Sequence, residues 1–596
     1  MVVQARALKL GHGSRVVSSN AKVSASTSHV VKCCVRQMRH GTRGVTFKRF
    51  ARAAVRDGAN NAQLKKFAQT SRTQPSHAER DTVRMLLPRS GWQPYFLRLK
   101  LSKNTEVVEC SHPVIPLHEL FSILWEKPKQ RELSLLGPEG ERGPGNFWKE
   151  ALLRTAWARM HPANAHGRLD KCIPLLVHHD GVHHSQVFSW CSQLSKSVNV
   201  FDQCFMAAHF QDDEMTDVLQ STHREVARFY AWSFECLLQG RFPETGMYGE
   251  KLEGWRSERA GSELAGGWTA AFVGICVDGK AAGETHGWGA FWSSYFLCDE
   301  CFASNWPRWP NAPKHLSYLD HQGEWKHTIR LDWPDSPWLQ VPGFSRDLQC
   351  KDIMHNCHIG FGRDVVASTV RHWDESGLLA IWSQRIAGEE PPRRKLWYRC
   401  LEFCKEHNVS LPRKFDCFSK RGLGETKSVP SATLHSNIKA SHVGILLLFL
   451  GHIACEIPAT DASDVAAGIV VHSLATFLHT LSNAPLWLDE ETAQRAQTLG
   501  MLFLKNLHFL HKHHTGYPWA MLRPKVHWFS HTVVRIGRDR FNPLRWSVFA
   551  FEDFMGKIKR MSQYSHGTTM SARTVERYMI FVYERLSRRA SNDART

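Results

Sequence analysis

Acidic residues are missing from the first part of the chain. Residues 1 to 56 contain twelve lysines and arginines but no aspartate or glutamate, and Asp57 is the first acid. The other 540 residues carry 64 basic against 56 acidic side chains, so the basic segment supplies more than half of the net charge of +20. Such a segment is typical of a disordered DNA-contacting arm or of an organelle transit segment, or it has no function of its own. A basic chain also suits a polyanionic partner, nucleic acid first.

Long apolar runs and a dense cysteine framework are also missing. The longest apolar run, Val443 to Leu450, ends at Gly451 and is too short to span a bilayer. No secretory signal is visible near the first residues. The sixteen cysteines are scattered, which favours free thiols in a reducing compartment. With 42% hydrophobic residues and 22 tryptophans, we expect a soluble protein of two or three domains, or of one domain with large insertions, and no membrane partner.

The middle of the chain contains the strongest strand patterns. The run from Cys172 to Val177 is continuously apolar, as in a buried central strand, and leads into Asp180. A second such run, Trp268 to Val277, leads into Asp278. Between them the sequence predicts two further strands and a helix, at Val187 to Cys191, near Val198 to Phe205, and at Glu225 to Leu238. The fold class is therefore α/β, with Asp180 and Asp278 at the ends of the first and fourth strands.

Elements before and after this region are predicted from periodicity. They are a strand at Tyr95 to Leu101, helices at Leu117 to Trp125 and Phe147 to Met160, and a mostly helical stretch from Ala432 to Leu510. The periodicity of this stretch alone is equally compatible with a plain helical bundle domain.

A short segment places an acid and an imidazole close together. Asp352 and His355 are three residues apart, so on a helix they share one face. A carboxylate and an imidazole held in this way fix each other's charge and orientation. From spacing alone, a buried pair that only anchors a helix is the simpler interpretation.

A second segment near the end of the chain places an acid before a group of cations. Residues Arg523 to His531 read RPKVHWFSH and precede a stretch, Asn542 to Lys559, that contains Glu552 near the start of a helix. Lys557, Lys559 and Arg560 follow within about two turns. Ordinary ion pairing along a helix would explain the same pattern.

The string DIMHNCHIGFGRDVVAS and the C-terminal segment resemble two blocks of the CACTA (En/Spm-like) and Plavaka-like DNA transposases. The resemblance implies a ribonuclease H-like mixed sheet flanked by helices and interrupted by a large, mostly α-helical insertion. It also implies that Asp180, Asp278 and Glu552 hold two Mg²⁺ or Mn²⁺ ions for strand cleavage and strand transfer in double-stranded DNA, in the nucleus. Asp352 and His355 would lie beside this site as orienting residues. Whether the protein forms a homo-oligomer is left open.

With this resemblance the chain divides into six parts. They are a basic and disordered segment at 1–85, a mixed α/β region at 86–165, the first part of the catalytic core at 166–390 with a Cys-x-x-Cys insertion near 280–345, the helical insertion at 391–515, the second part of the core at 516–585, and a disordered tail at 586–596.

Cys298 and Cys301 form a lone Cys-x-x-Cys pair, which is half of a structural zinc site because such sites need four ligands. Two free thiols in a turn would give the same pattern. The sequence does not choose the remaining ligands among five candidates: Cys350, Cys357, His355, His358 and His286.

Three features depart from the transposase pattern. Imidazoles surround Asp180, at His178, His179, His183 and His184, and they suit zinc or manganese better than magnesium. A His-cluster metal-dependent hydrolase is therefore an alternative. Asp278 is the least secure acid, and Asp299 or Asp352 are its alternatives. Because no N-terminal DNA-binding zinc finger is recognisable, a catalytically inactive or host-adopted nucleic-acid-binding protein is the other alternative. Organellar localisation is the alternative to the nucleus.

Overall fold

The structure is a computed structural model. It describes residues 91–103, 106–181, 184–215, 222–286, 336–412, 415–425, 432–513, 524–563 and 569–593, together with Cys298, Glu300, Cys301, Ala303, Trp519 and Ser565. The N-terminal segment 1–85, His183, Asp299 and most of the insertion near 280–345 lie outside the described residues, so the predictions made for them are not addressed by the structure.

A five-stranded mixed sheet forms the centre of the first of the two large hydrophobic cores in the described part of the chain. Its strands are β3 (Cys172–Gly181), β4 (Ser185–Ser192), β5 (Cys204–Gln211), β6 (Thr269–Val277) and β7 (Gln349–Lys351). The spatial order is β5-β4-β3-β6-β7, with β3 antiparallel to β4, β4 antiparallel to β5, and β6 parallel to both β3 and β7. Strands β3 and β6 are buried almost throughout, which explains their continuous apolar sequences. The predicted α/β class is confirmed.

A hairpin and several helices cover this sheet. The hairpin consists of β1 (Tyr95–Lys103) and β2 (Glu106–Val114). The helices before β7 are α1 (Leu117–Trp125), α2 (Pro128–Arg131), α3 (Gly143–Arg154), α4 (Ala156–Met160), α5 (Val200–Gln203), α6 (Thr222–Gln239), α7 (Trp255–Arg259) and α8 (Gly279–His286). The predicted strand at Tyr95 and the predicted helix Leu117 to Trp125 are both confirmed.

Two predicted elements are wrong in their bounds. The helix expected from Phe147 to Met160 breaks at Thr155, whose backbone is extended and whose hydroxyl donates to the Ala151 carbonyl at 2.8 Å. That bond offers the chain an alternative to continuing the helix. The third strand begins at Cys204, later than expected, because the Asn199 side chain accepts from the Phe201 amide and starts a single helical turn first.

The second core is mostly helical. It begins with a π-helical segment at Met354–Gly362 and continues through α9 (Arg363–Glu375), α10 (Leu378–Ser383), α11 (Pro392–Glu406), α12 (Ala440–Ile453), α13 (Ala462–Asn483), α14 (Glu490–His513) and α15 (Pro524–Asp539). The helical stretch expected from Ala432 to Leu510 is confirmed as three helices. Helix α13 starts at a capping box in which Asp461 and Asp464 satisfy each other's backbone amides.

Helix α13 is also the one described helix that is long and apolar enough, by length and composition alone, to cross a membrane. Its buried residues include Val470, Leu474 and Phe477, which belong to the second core. Buried core helices of this kind pass the same test as membrane spans.

The chain then returns to the sheet. Helices α16 (Phe549–Ser562) and α17 (Met570–Asp593) contribute Phe554, Ile558 and Tyr578 to the first core. The Tyr578 hydroxyl is 3.2 Å from the Met206 amide on β5. Helix α17 continues to Asp593, so the disordered tail expected from residue 586 is helical over most of its length.

Candidate active site and metal centre

Two aspartates lie side by side at one edge of the sheet. Asp180 is near the end of β3 and Asp278 directly follows β6. Because β3 and β6 are parallel neighbours, their carboxyl ends meet at the same edge. The register pairs His178 with Cys276, two residues before each acid. Two carboxylates about a hundred residues apart in sequence are therefore neighbours.

Glu552 and His355 complete a cluster with Asp180. One carboxylate oxygen of Asp180, one of Glu552 and one ring nitrogen of His355 all lie within 4.8 Å of one another. Glu552 stands in the first turn of α16, and His355 stands in the π-helical segment after β7. The cluster therefore joins three distant parts of the chain, and Asp278 acts on it through its charge.

Asp352 connects the π-helical segment to α16. One of its carboxylate oxygens accepts from the His355 backbone amide at 2.7 Å and lies 2.8 Å from His355 Nδ1, while the other accepts from the Val548 amide at 3.0 Å. On the far side of the ring, His355 Nε2 is 3.6 Å from Glu552 Oε1. Asp352 is 3% exposed. The predicted Asp352–His355 pair therefore forms, and it orients the ring toward Glu552.

This pair fixes opposite charges on its two members. Burial alone would favour neutral His355, but the hydrogen bond and charge of Asp352, with further contributions from Asp278 and Glu552, raise its pKa to about 9. Burial works against ionisation of Asp352 too, yet the hydrogen bonds from His355 and Val548 hold the pKa of that carboxyl below its usual value. At neutral pH the site contains an imidazolium supported by a carboxylate.

The surroundings of Asp180 disfavour the ionised form of its carboxyl. Burial, followed by the charges of Asp278 and Glu552 and a hydrogen bond shared with Glu552, raises its pKa from 3.8 to about 8. Carboxylates packed this closely resist simultaneous ionisation unless a cation joins them. Asp180 and Glu552 provide the oxygen donors that Mg²⁺ or Mn²⁺ prefers, and Asp278 lies near enough for its charge to act on Asp180. The donor set fits a divalent cation.

A second group of side chains could hold another metal. The Sγ atoms of Cys298 and Cys301 and one ring nitrogen each of His527 and His531 lie within 4.8 Å of one another, and all four residues are buried. Cys298 Sγ is 3.4 Å from His531 Nε2, and Cys301 Sγ is 3.2 Å from His527 Nε2. Two thiols and two imidazoles are one of the ligand sets of structural zinc.

The second half of this group differs from what the sequence suggested. Of the five candidates for completing the Cys-x-x-Cys pair, Cys357, His355 and His358 are not in this group, and the side chains of Cys350 and His286 lie outside the described part of the chain. The partners are His527 and His531, four residues apart on one face of α15. An i, i+4 histidine pair is a recognisable ligand pattern, so the segment itself contained the signal that reasoning from sequence missed.

Charged residues lie next to one of the four ligands, His531. Glu300 Oε2 is 3.6 Å from His531 Nδ1 and 3.1 Å from the Arg535 guanidinium. Burial disfavours the charged Glu300, but the cations Arg535 and His531 keep its pKa well below the usual range. A carboxylate on the outer nitrogen of a ligating histidine is the support that metal sites use to orient the ring.

Trp528 connects the Cys/His group to the acidic site. Its ring packs with Cys298 and Cys301 and lies against Gly279, the residue after Asp278. A Cβ added at Gly279 would be 2.5 Å from the Trp528 ring. The backbone beside Asp278 therefore depends on where α15 holds this ring.

Comparison with known proteins identifies no relative. No protein-family model matches the chain, and no curated protein matches it significantly. The motif resemblance to transposases therefore stays a prediction, and function has to be inferred from side-chain geometry.

Two imidazoles next to Asp180, those of His178 and His179, pack against aromatic rings. His178 is buried and stacks on Phe551 at 4.4 Å between ring centroids, and burial lowers its pKa to about 3. His179, on the opposite face of β3, stacks on Phe188 at 4.1 Å. Neither belongs to a cluster of ligand atoms among the described residues. Aromatic packing accounts for both.

Proposed function

We propose that the protein cleaves DNA strands and transfers them by divalent-metal-dependent phosphoryl transfer, as a transposase does, on a ribonuclease H-like core. The observation that carries the proposal is the convergence of Asp180, Glu552 and His355 at the sheet edge, with Asp278 beside them. Double-stranded DNA would be the substrate and the nucleus the place of action.

The order of the elements supports a ribonuclease H-like core. Three successive antiparallel strands, a helix and a fourth strand parallel to the first place acids at the ends of the first and fourth strands. The third acid comes from α16, after the long helical region. Fold alone does not define a reaction, so the proposal depends on the acids.

Asp180, Asp278 and Glu552 are the residues that would hold two divalent ions. When bound, such ions stabilise charge on the attacking and leaving oxygens of an in-line displacement. The fold places the three carboxylates at one edge of the sheet, where a bound cation would favour the ionised form of Asp180. His355, cationic and held by Asp352, presents a positive ring edge beside Glu552, where it can orient a phosphate oxygen.

The Cys298, Cys301, His527 and His531 group would hold a structural zinc ion. All four ligands are protein side chains, which is the closed arrangement of structural rather than catalytic sites. Burial raises the pKa of the Cys298 thiol to about 11, and a cation at this position would favour its thiolate form. Zinc would then fix α15 and Trp528 behind Asp278.

A plasmid-nicking assay tests the proposal. Supercoiled DNA is incubated with the protein and Mg²⁺ or Mn²⁺, and open circles are counted. We expect nicking that is lost in Asp180→Ala and Glu552→Ala but kept in Asp553→Ala. Asp553 is the matched control, because it is the next acid on α16 and pairs with Lys557 outside the cluster.

Two results would contradict the catalytic claim. Metal-dependent nicking that persists in both Asp180→Ala and Glu552→Ala would place the activity elsewhere or in a contaminant. No nicking by the unaltered protein, together with DNA affinity that falls steeply as salt rises, would instead indicate a catalytically inactive nucleic-acid-binding protein.

A further inference from the structure

The side of α16 that faces away from the first core continues the acidic site. The helix buries Phe551, Phe554 and Ile558 in that core, which leaves its opposite side exposed. Glu552 lies at the edge of this exposed side, where its side chain is 37% exposed and belongs to the acidic cluster. Gly556 follows one turn later, about 6 Å along the helix axis. A strand that lies along the helix from the acids would therefore meet Gly556 next.

Nothing in the described fold accounts for a glycine at position 556. Gly556 lies inside a helix and has no positive φ, so alanine would be favoured there. A Cβ added at Gly556 would have no atom within 4 Å, so no neighbouring side chain needs the space. The residue is also exposed. Its missing side chain leaves a gap on the surface of α16, where the backbone of another molecule can approach closely.

A cation lies at the edge of this gap. The Arg560 Nε atom donates to the Gly556 carbonyl at 3.2 Å, so the arginine side chain folds back toward Gly556. Arg560 is exposed, and no acid in the described part of the chain forms an ion pair with it. Its terminal nitrogens are therefore available to a phosphate. Lys559 adds a second cation two turns after Glu552, on the same edge of the exposed side.

An aromatic ring lies at the other end of the exposed side. Phe549 is seven residues before Gly556, so the two residues share one face of the helix. Phe549 is 36% exposed, and His358 supports its ring in an edge-to-face contact at 5.2 Å between ring centroids. Exposed aromatic rings stack on nucleobases. Along the helix, Glu552 therefore lies between a ring that suits a base and a cation that suits a phosphate.

The second acid on the exposed side, Asp553, is paired. Its carboxylate lies 3.2 Å from the Lys557 ammonium, on the edge of the helix away from Lys559. Arg560 and Lys559 therefore leave a positive charge beyond Glu552. An acidic peptide would match these cations alone, whereas a nucleic-acid strand also matches the exposed ring and the gap.

We propose that one strand of the DNA lies along the exposed side of α16, with a base against Phe549, the sugar–phosphate backbone in the gap at Gly556, and a phosphate bound by Arg560. The inference rests on the proposed function, because the reacting phosphate would be the one held at the acids beside Glu552. Gly556 and Arg560 are positioning residues in this arrangement, since they hold the strand without touching the reacting atoms.

Substitutions at Gly556 test the gap. The DNA affinity of the full chain is measured by fluorescence anisotropy with a labelled duplex in Mg²⁺. We expect Gly556→Ala to weaken binding and Gly556→Leu to weaken it by about tenfold or more, because each added side chain occupies the place of the backbone. Urea unfolding should show that Gly556→Ala is more stable than the unaltered protein. A weaker affinity in a more stable protein excludes loss of structure as its cause.

The dependence of affinity on salt separates the phosphate contact from the base contact. Each lost phosphate contact reduces the slope of log affinity against log salt by about 0.9, and Arg560→Gln should show this reduction. Phe549→Ala should weaken binding by about fivefold or more and leave the slope unchanged, because stacking releases no counterions.

Gly468 and Lys557 provide matched controls. Gly468 lies inside α13, and a Cβ added there would also have no atom within 4 Å, so Gly468→Ala should leave DNA affinity unchanged. Lys557→Gln removes one positive charge from α16, but this lysine is paired with Asp553, so the salt slope should stay the same.

Three results would overturn the proposal. The first is an affinity of Gly556→Leu equal to that of the unaltered protein. The second is an equal reduction of the salt slope in Arg560→Gln and Lys557→Gln. The third is displacement of the labelled DNA by polyglutamate as effectively as by unlabelled DNA, which would indicate an acidic protein partner instead.

Strand binding and DNA cleavage can fail separately. If the unaltered protein does not nick DNA but the Gly556 and Arg560 variants lose affinity as expected, the proposed function is removed and the strand contact on α16 is kept. If the unaltered protein nicks DNA and Gly556→Leu binds and nicks it equally well, the strand contact is removed and the proposed function is kept. Absence of any DNA binding would remove both.

Discussion

Replacing Asp180 by asparagine should stabilise the metal-free protein. The pKa of this carboxyl rises from 3.8 to about 8 on folding, and each pKa unit corresponds to about 1.4 kcal/mol. Keeping Asp180 ionised in the folded state therefore costs up to about 6 kcal/mol above pH 8. Part of that cost is shared with Asp278 and Glu552, which remain, so we expect Asp180→Asn to gain about 2–3 kcal/mol.

The direction of this pKa shift determines how the stability gain of Asp180→Asn depends on pH. Because the folded pKa is higher than the unfolded one, the cost is absent below about pH 4, grows as pH rises, and is complete above about pH 8. Unfolding by urea, measured from pH 5 to pH 9 in chelator, should show Asp180→Asn gaining stability over the unaltered protein across that window. Asp553→Asn is the control and should gain nothing.

Addition of Mn²⁺ should reverse the order of the two proteins. A ligand at a thousand times its dissociation constant stabilises by about 4.1 kcal/mol, which exceeds the gain of about 2–3 kcal/mol expected for Asp180→Asn, and only the protein with Asp180 should gain it. A lower stability of Asp180→Asn than of the unaltered protein at pH 9 in chelator, or an equal gain of both proteins from Mn²⁺, would refute the assignment of this cost and of the metal to Asp180.

Three further predictions follow from packing and from the Cys/His group. Gly556→Ala should raise the free energy of unfolding by up to about 1 kcal/mol, because the helix interior there is open, and urea unfolding that shows a loss would contradict it. Gly279→Ala should lower the free energy of unfolding and reduce the stabilisation by Mn²⁺, since the added Cβ meets the Trp528 ring. An unchanged stabilisation by Mn²⁺ would show that the position of this ring does not affect the acidic site. The purified protein should contain one zinc ion per chain by atomic emission, lost in His527→Ala and kept in Cys357→Ala, and equal zinc in both variants would place the metal elsewhere.

The elements that the sequence predicts well are those with unambiguous patterns. Strands β3 and β6 are buried on both faces, so their apolar runs have no polar interruptions, and Asp180 and Asp278 stand where those runs stop. Their proximity follows from parallel pairing, which can be expected from the strand–helix–strand order. The Asp352–His355 pair was predicted from spacing alone, although the segment is π-helical after Asp352.

Other features depend on tertiary contacts that no local pattern records. His527 and His531 meet Cys298 and Cys301 across more than two hundred residues, so spacing within either segment cannot pair them. The start of β5 depended on one Asn199 side chain forming a cap.

The location of bound manganese tests the central claim most directly. Crystals grown or soaked in Mn²⁺ and measured at the manganese absorption edge should show anomalous density between Asp180, Asp278 and Glu552, with carboxylate oxygens at about 2.0–2.2 Å. Density at the Cys/His group alone, with these three carboxylates left without a metal, would contradict the account.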